Sequence, residues 1–497
     1  MRSWRLRNYR NLLPLLAFVL FANALRGTFH FDDYSLFQDP AILSASGWTA
    51  IFRFTTTRPL TWLTFWLNYR LTGMRPFAWH MVDLTIHAGC VMLLYCCLRR
   101  MIPERATLIG TILFAIHPIQ TETVAYVFAR PTSLATLLCL ASLLCWLRGA
   151  RWLAVLWFGL AVLAKEECVF FPFFLALIEW PQRKRHFAWQ PLAAMLGLSA
   201  LAGCRVLLAT RLITRAGAGF GSSVTPAQYA LAQGVVIWRY FGELLWPATI
   251  TFDPDLHPSA IAGAAGWLAL AAAVFLVVRR ISNATTGSPA LWCIGALTLI
   301  LASSSIFPAD DLAADRRVYL PMIAISAAAG ILLDRVTKDV YSRWALAACG
   351  LVLAGFTIYR TDIWRTELSL WTDTVAKAPL KARPRIQLSR AQRPADAEVT
   401  LAIAAKNNPG NPDVAAEQGK LFLQTHQPDR AIGAFGRAAA LAPRDAQNWN
   451  NLGVAFAALG QPQAAETQFR HALTLDACLP DARRNLGLEA CPETAPR

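Results

Sequence analysis

Residues 1–25, MRSWRLRNYRNLLPLLAFVLFANAL, decide the class of fold. Arg2, Arg5, Arg7 and Arg10 stand ahead of an apolar run. Charge followed by apolar residues is the layout of a secretory signal, but no small-residue cleavage site follows and further apolar runs do. The stretch therefore reads as a retained first membrane helix with its N-terminus in the cytoplasm. Composition agrees: of 497 residues, 55% are hydrophobic and only 16% charged, too apolar for a soluble chain of this size. The 18 Trp and 27 Phe suit the boundary between water and lipid.

The net charge of +16 does not point to nucleic acid, because the basic residues fall in short runs between apolar segments, as membrane topology dictates. There are 11 cysteines without a CxxC pair or a metal-ligand spacing. Cys478 and Cys491 lie in a polar tail and could pair in an oxidising compartment. The others sit in or beside apolar segments and act as small hydrophobes.

Apolar runs predict eleven spans, at about 12–26, 81–98, 106–117, 131–147, 152–164, 168–180, 190–208, 260–278, 290–307, 318–333 and 344–359. The stretch 229–247 reads as re-entrant or interfacial. This count puts the basic groups on one side, the cytoplasm: Arg99, Arg100 and Arg105; Arg148 and Arg151; Arg183, Lys184 and Arg185; Arg279 and Arg280; Arg335, Lys338 and Arg343. The polar motifs then gather on the opposite face, where they imply a site.

The external segment 27–80 contains RPLTWLTFWLNYRL, in which Trp62, Phe65, Trp66 and Tyr69 share one helical face flanked by Arg58 and Arg70. It reads as a helix along the membrane surface or packed on the bundle. After residue 359 the chain turns polar and Ala-rich, with 360–411 a linker and degenerate repeat. A spacing of 34 then relates Gly419 to Gly453, Phe422 to Phe456, Ala431 to Ala465, Phe435 to Phe469 and Ala438 to Ala472. That is the tetratricopeptide pattern, predicting an α-solenoid over 412–497.

Chemistry is expected from HFDDYSLFQDP (His30–Pro40). Its adjacent Asp32 and Asp33 could take a proton from an attacking hydroxyl or hold a divalent cation against phosphate oxygens. A helix cap is the plainer alternative. In HPIQTETVAYVFARP, Glu122, Tyr126 and Arg130 are spaced by four and would share a helical face, while His117 marks the end of a span. Lys165 and Glu166 form a polar turn between apolar runs. In DDLAADRRVYLP, Asp310, Asp311 and Asp315 precede Arg316 and Arg317, which could fork onto a phosphate or pair with the aspartates.

Together FHFDDY, RPLTWLTFWLNYRL, FAWHMVDLTIHA, HPIQTETVAYVFARP, LAKEECVFFP and ADRRVYLP, followed by the repeats, resemble the transmembrane-and-tetratricopeptide-repeat proteins. These are related to protein O-mannosyltransferases and the GT-C glycosyltransferases. The resemblance covers nearly the whole chain and implies an all-α GT-C-like membrane domain (1–359) ahead of the repeats. It implies a polyprenyl-phosphate sugar donor, usually of mannose, and an acceptor protein held by the repeats. The acidic motif maps onto Asp32 and Asp33, and the arginine motif onto Arg316 and Arg317 with Tyr319 behind. Asp83 stands where the pattern has Asn.

The resulting expectation is inverting sugar transfer to a hydroxyl of a protein or glycan acceptor on the periplasmic or lumenal face, with the compact repeat array favouring a bacterial inner membrane. Asp32 or Asp33 is the base and Arg316, Arg317, Arg130 or Lys165 the phosphate-binding cations, with His117, Glu122, Glu166, Asp315 and Tyr319 in support. No cofactor is required, and a divalent metal is compatible with Asp32 and Asp33. A membrane-anchored repeat scaffold is the rival reading. A transporter would place ionisable residues in mid-span, whereas these gather at a boundary.

Overall fold

The computed structural model describes residues 2–52, 56–180, 188–212, 224–279, 285–304, 308–309 and 311–491. Asp310, Arg280 and the basic run 183–185 lie outside them. Every regular element among the described residues is helical. The chain forms two compact units, one of residues 1–252 and 256–366, the other of 253–255 and 367–497.

The first unit corrects the expected span count. Among the described residues, five helices are long and apolar enough to cross a membrane: Pro76–Leu98, Val127–Leu147, Trp189–Ala209, Ala260–Val278 and Val340–Ile363. A sixth arises if Glu104–Ile116 and Pro118–Ala125, bent by 48°, count as one span. Apart from Arg2–Leu20, which carries the first apolar run, the remaining apolar helices, Arg151–Ala164 and Pro289–Ile300, are shorter. At 1.5 Å per residue they fall well below the roughly 30 Å of a hydrocarbon core. Sequence hydropathy counted them because it registers apolarity without seeing where polar turns cut a helix.

Proline sets several of these cuts. It occupies the first turn of Pro59–Thr72, Pro76–Leu98, Pro118–Gln120 and Pro226–Leu245, where its missing N–H costs nothing. Pro226–Leu245, covering most of 229–247, is a continuous helix. The aromatic face of Pro59–Thr72 packs inward: Phe65 is buried with Phe29, Leu36, Ile42 and Trp79, and Trp62, Trp66 and Tyr69 lie against that cluster. Leu67, Leu71 and Met74 are exposed instead.

One crossing aligns the elements that carry the polar motifs. Helix Glu104–Ile116 runs into the His117–Arg130 segment, and helix Met322–Val336 runs out of the arginine motif. A Cβ built on Gly110 would sit 2.5 Å from the Ser326 carbonyl oxygen, and one on Gly330 2.3 Å from that of Ala106. The two backbones touch because neither residue has a side chain, as small residues allow in membrane bundles.

In the second unit the 34-residue period is a physical repeat. Gly419 lies against the Phe435 ring and Gly453 against the Phe469 ring, with built Cβ atoms 2.7 and 2.6 Å from the respective rings. Asn411 and Asp445 cap the helices Pro412–Gln424 and Ala446–Ala458 through their side chains. Cys478 and Cys491 are joined in a disulfide.

Leucine at Gly110 or Gly330 has only backbone to displace, so overpacking at the upper end, about 3 kcal/mol or more, is expected. Thermal unfolding in detergent should fall for either variant, while Gly203→Leu, with nothing within 4 Å of its built Cβ, should melt like the parent.

Candidate functional site

Phe31 holds a left-handed backbone (φ 42°) immediately before Asp32. That conformation costs a non-glycine residue roughly 1–2 kcal/mol, so its surroundings must impose it. They do so through both neighbours. His30 Nε2 lies 2.6 Å from the Trp364 carbonyl oxygen, and Asp33 accepts from two backbone amides, His30 N at 2.9 Å and Phe128 N at 2.7 Å.

The two aspartates therefore differ. Asp33 is fully buried, with both oxygens engaged. Burial pushes its carboxyl well above the ordinary range, the two amides pull it down, and Asp83 and Asp32 add to the rise. Asp32 remains partly exposed, and its N–H donates to the Tyr126 hydroxyl at 3.2 Å. Asp33 thus shapes the turn that presents Asp32, and the pair does not offer two unengaged carboxylates to one ion. Among the described residues, no group of three His, Cys, Asp or Glu side chains is arranged to hold a metal.

Tyr126 connects this turn to the arginine motif. Glu122, four residues earlier, accepts from Arg316 twice, from its backbone N–H at 3.0 Å and from its guanidinium. Tyr126 lies within electrostatic reach of Asp32, Asp33 and Arg316 alike. The opening acidic motif and the late arginine, 284 residues apart by 316 − 32, thus border one locus in the first unit.

Glu122, Tyr126 and Arg130 do not share one helical face. The short helix Thr121–Ala125 ends at an extended Tyr126 (φ −105°, ψ 113°), and a new helix starts at Arg130 with proline in its first turn. Arg130 turns away from Glu122 into the core. It is 0% exposed, pairs with Asp83 at 2.5 Å, donates to Asn68 Oδ1 and the Trp79 carbonyl, and lies over the rings of Phe65 and Trp79. An arginine so enclosed is a structural cation, and Asp83 is its counter-ion. Asn at position 83 could not supply that charge.

The tandem arginines also divide. Arg316 keeps a quarter of its side chain exposed and faces Asp311 at 3.6 Å as well as Glu122. Arg317 is buried, donating to Tyr229 Oη at 3.1 Å, the Leu312 carbonyl at 3.0 Å and the Asp311 carbonyl at 2.7 Å. It pins the loop that carries Arg316. Asp315 is buried near Glu243, whose carboxylate is paired with Arg239. Burial pushes the Asp315 carboxyl well up, and the neighbouring Glu243 and Glu122 add to the rise, while Arg239 and Arg360 oppose it. Tyr319 bonds His87 Nδ1 at 2.7 Å in the bundle core. His117 accepts from Ile119 N and bonds the Leu244 carbonyl, fixing the bend between Glu104–Ile116 and Pro118–Ala125.

A second cationic group borders Arg316. Lys165 reaches Glu167 at 2.6 Å and Thr132 Oγ1 at 2.7 Å. Burial pulls its ammonium below the ordinary value, Glu167 opposes this, and Arg58 and Arg316 pull it further. Arg58 pairs with Glu166 through two bonds, Nε to Oε2 at 3.0 Å and Nη2 to Oε1 at 2.5 Å. Burial alone would raise the Glu166 carboxyl, but Arg58 holds it down at about 2. Arg58 was visible in the sequence only as the flank of an aromatic stripe. A charged residue before a helix-opening proline was the signal available.

Asp33→Asn turns an amide N–H towards a backbone donor, so about 1–3 kcal/mol of stability should be lost in thermal unfolding. Asp32→Asn should cost less. Because the Glu166 carboxyl is depressed, its contribution is present above its ordinary 4.5 and lost as pH falls towards about 2. Glu166→Gln should therefore flatten stability against pH between those values, relative to the parent.

No family model matches the chain. Among curated proteins, the protein O-mannosyl-transferase F38B6.6 of Caenorhabditis elegans is 23% identical over 433 residues, covering 78% of this chain and 60% of that protein. The human protein O-mannosyl-transferase TMTC4 is 24% identical over 466 residues, covering 76% of this chain and 62% of its own length. The chain thus spans about three fifths of these relatives. Among solved structures, ArnT from Cupriavidus metallidurans bound to undecaprenyl phosphate aligns with 88% of this chain and 80% of its own, at 14% identity and a TM-score of 0.40. Over more than three quarters of its length, the chain is similar to TMTC-type protein O-mannosyl-transferases.

Proposed function

We propose that this chain is a membrane glycosyltransferase. It moves a sugar, mannose by its resemblance, from a polyprenyl-phosphate donor to a hydroxyl of a protein or glycan acceptor on the non-cytoplasmic face. One observation carries the reading: a partly exposed carboxylate on a strained turn, Asp32, and a partly exposed guanidinium, Arg316, flank the same tyrosine.

Transfer from a sugar phosphate needs two things at one locus. A base must take the acceptor proton as its oxygen attacks the anomeric carbon, and cations must stabilise the phosphate as the glycosidic C–O bond breaks. Asp32 is the base in this reading, with Asp33 fixing its turn. Arg316 faces the leaving phosphate, the buried Lys165 behind it adds its charge to the field there, and Arg317 holds Arg316 in register. Attack opposite the departing phosphate inverts the anomeric centre without a covalent sugar–enzyme intermediate.

Arg316 and Lys165 both carry carboxylate partners, Glu122 and Asp311 for Arg316 and Glu167 for Lys165. An arriving phosphate must therefore share or displace a carboxylate, which favours a donor tethered at high local concentration in the bilayer over a soluble one. The repeats would then hold the acceptor. The disulfide between Cys478 and Cys491 supports an oxidising compartment, a bacterial periplasm in this reading, for that unit.

Transfer from a labelled polyprenyl-phosphate mannose, measured in membranes of matched protein content, tests the reading. Asp32→Asn should lower the rate about 10²–10⁴-fold, and Arg316→Gln about 10²–10³-fold. Full retention by Asp32→Asn would favour the membrane-anchored scaffold instead.

A further inference from the structure

The helix Arg151–Ala164 is apolar along its length and ends at the charged turn 165–167. A groove of 590 Å³ beside it keeps the same order. Its walls are Trp152, Leu156 and Gly159 on this helix and Leu198 and Leu201 on Trp189–Leu212, and Glu166 lies at its end. From Trp152 to Glu166 the helical rise gives a length of about 20 Å.

The groove is narrow at its middle. A Cβ built on Gly159 would already meet the Leu198 side chain at 3.6 Å. Trp152, Leu156 and Leu201 are each more than half exposed, a surface that suits hydrocarbon and not water. A long apolar channel with charge at one end matches a chain-like lipid with a small ionic head.

The charged end fixes the sign of that head. Glu166 is covered by the Arg58 fork, and Arg205, which also lines the groove, donates to the Thr56 carbonyl two residues before Arg58. Arg316 lies within electrostatic reach of Arg58, so this end borders the proposed transfer site. A guanidinium presenting two parallel N–H bonds fits a phosphate as well as it fits a carboxylate.

We propose that the groove seats the chain of a lipid monophosphate and that Arg58 is its anchor, exchanging Glu166 for the lipid phosphate as its two-pronged partner. Glu166 holds the fork in shape until the lipid arrives. Its carboxyl stays ionised at any ordinary pH, so a competing anion rather than a proton releases Arg58. The proposal rests on the reading of the site as a lipid-phosphate-dependent transferase. It adds an exchange step at a residue outside the acidic and arginine motifs.

The test uses the full chain in phosphatidylcholine nanodiscs containing undecaprenyl phosphate, with bound lipid read by native mass spectrometry. The parent should retain the phosphate lipid and bind undecaprenol, which lacks the phosphate, about tenfold or more weakly. Arg58→Gln should lose retention by a similar factor, and Gly159→Phe should lose it by filling the groove. The double reversal Arg58→Glu with Glu166→Arg separates the roles, because it rebuilds the ion pair with the guanidinium on the opposite partner. It should melt like the parent yet bind no better than Arg58→Gln. Parental lipid binding by the reversed pair, or by Arg58→Gln, would overturn the anchor while leaving the transferase reading intact. Equal displacement by phosphatidylglycerol would reduce the groove to a general lipid seat and also overturn it. Failure of the parent to retain undecaprenyl phosphate would remove both this inference and the reading beneath it.

Discussion

The contact between Glu122 and Arg316 organises the first unit. It joins the end of one helical segment to the start of another across 194 residues of sequence. Its geometry is set below by the glycine crossing, where two backbones meet without side chains, and above by Arg317, which ties the loop carbonyls. A buried carboxylate paired with a partly exposed guanidinium is expensive to desolvate and is maintained only if both partners are held. Tyr126 stands beside that pair and receives the Asp32 amide, so the opening acidic turn inherits its position from the same constraint.

Charge in this region is divided by depth. Arg130, Arg317 and Asp33 are buried and bonded to backbone groups that they hold in place, Asp83 is buried as the counter-ion of Arg130, and Asp315 is buried beneath the loop. Asp32, Arg316, Arg58, Glu166 and Glu167 keep part of their surface open. Only the second group can meet a substrate. The first is the framework that makes the second rigid, which is the arrangement electrostatic catalysis needs, since charges fixed beforehand do not reorganise during reaction.

Much of this was legible in the sequence because it follows from local pattern. The spacing of 34 became the same glycine–phenylalanine contact twice, and the apolar runs became helices. The acidic dipeptide, Glu122 and the arginine pair carried their chemistry in their identities. What was not legible was depth. Adjacent aspartates and adjacent arginines look equivalent in a sequence, yet in each pair one is buried and one is open, because a turn sends neighbouring side chains to opposite sides. The four-residue spacing of Glu122, Tyr126 and Arg130 suggested a common face that the break at Tyr126 abolishes. Arg58 escaped notice because its partner lies 108 residues away. The span count failed for a related reason, since hydropathy reports apolarity and not the length of an unbroken helix.

The central claim is that Asp32 and Arg316 open onto one locus on the non-cytoplasmic side. It is tested most directly by replacing both with cysteine, in a chain whose other thiols are removed, and adding a short membrane-impermeant bis-methanethiosulfonate cross-linker to intact spheroplasts. The account predicts an intramolecular cross-link formed from the outside and suppressed when either cysteine is omitted. No cross-link, or one formed only after the cytoplasmic face is opened, would contradict it.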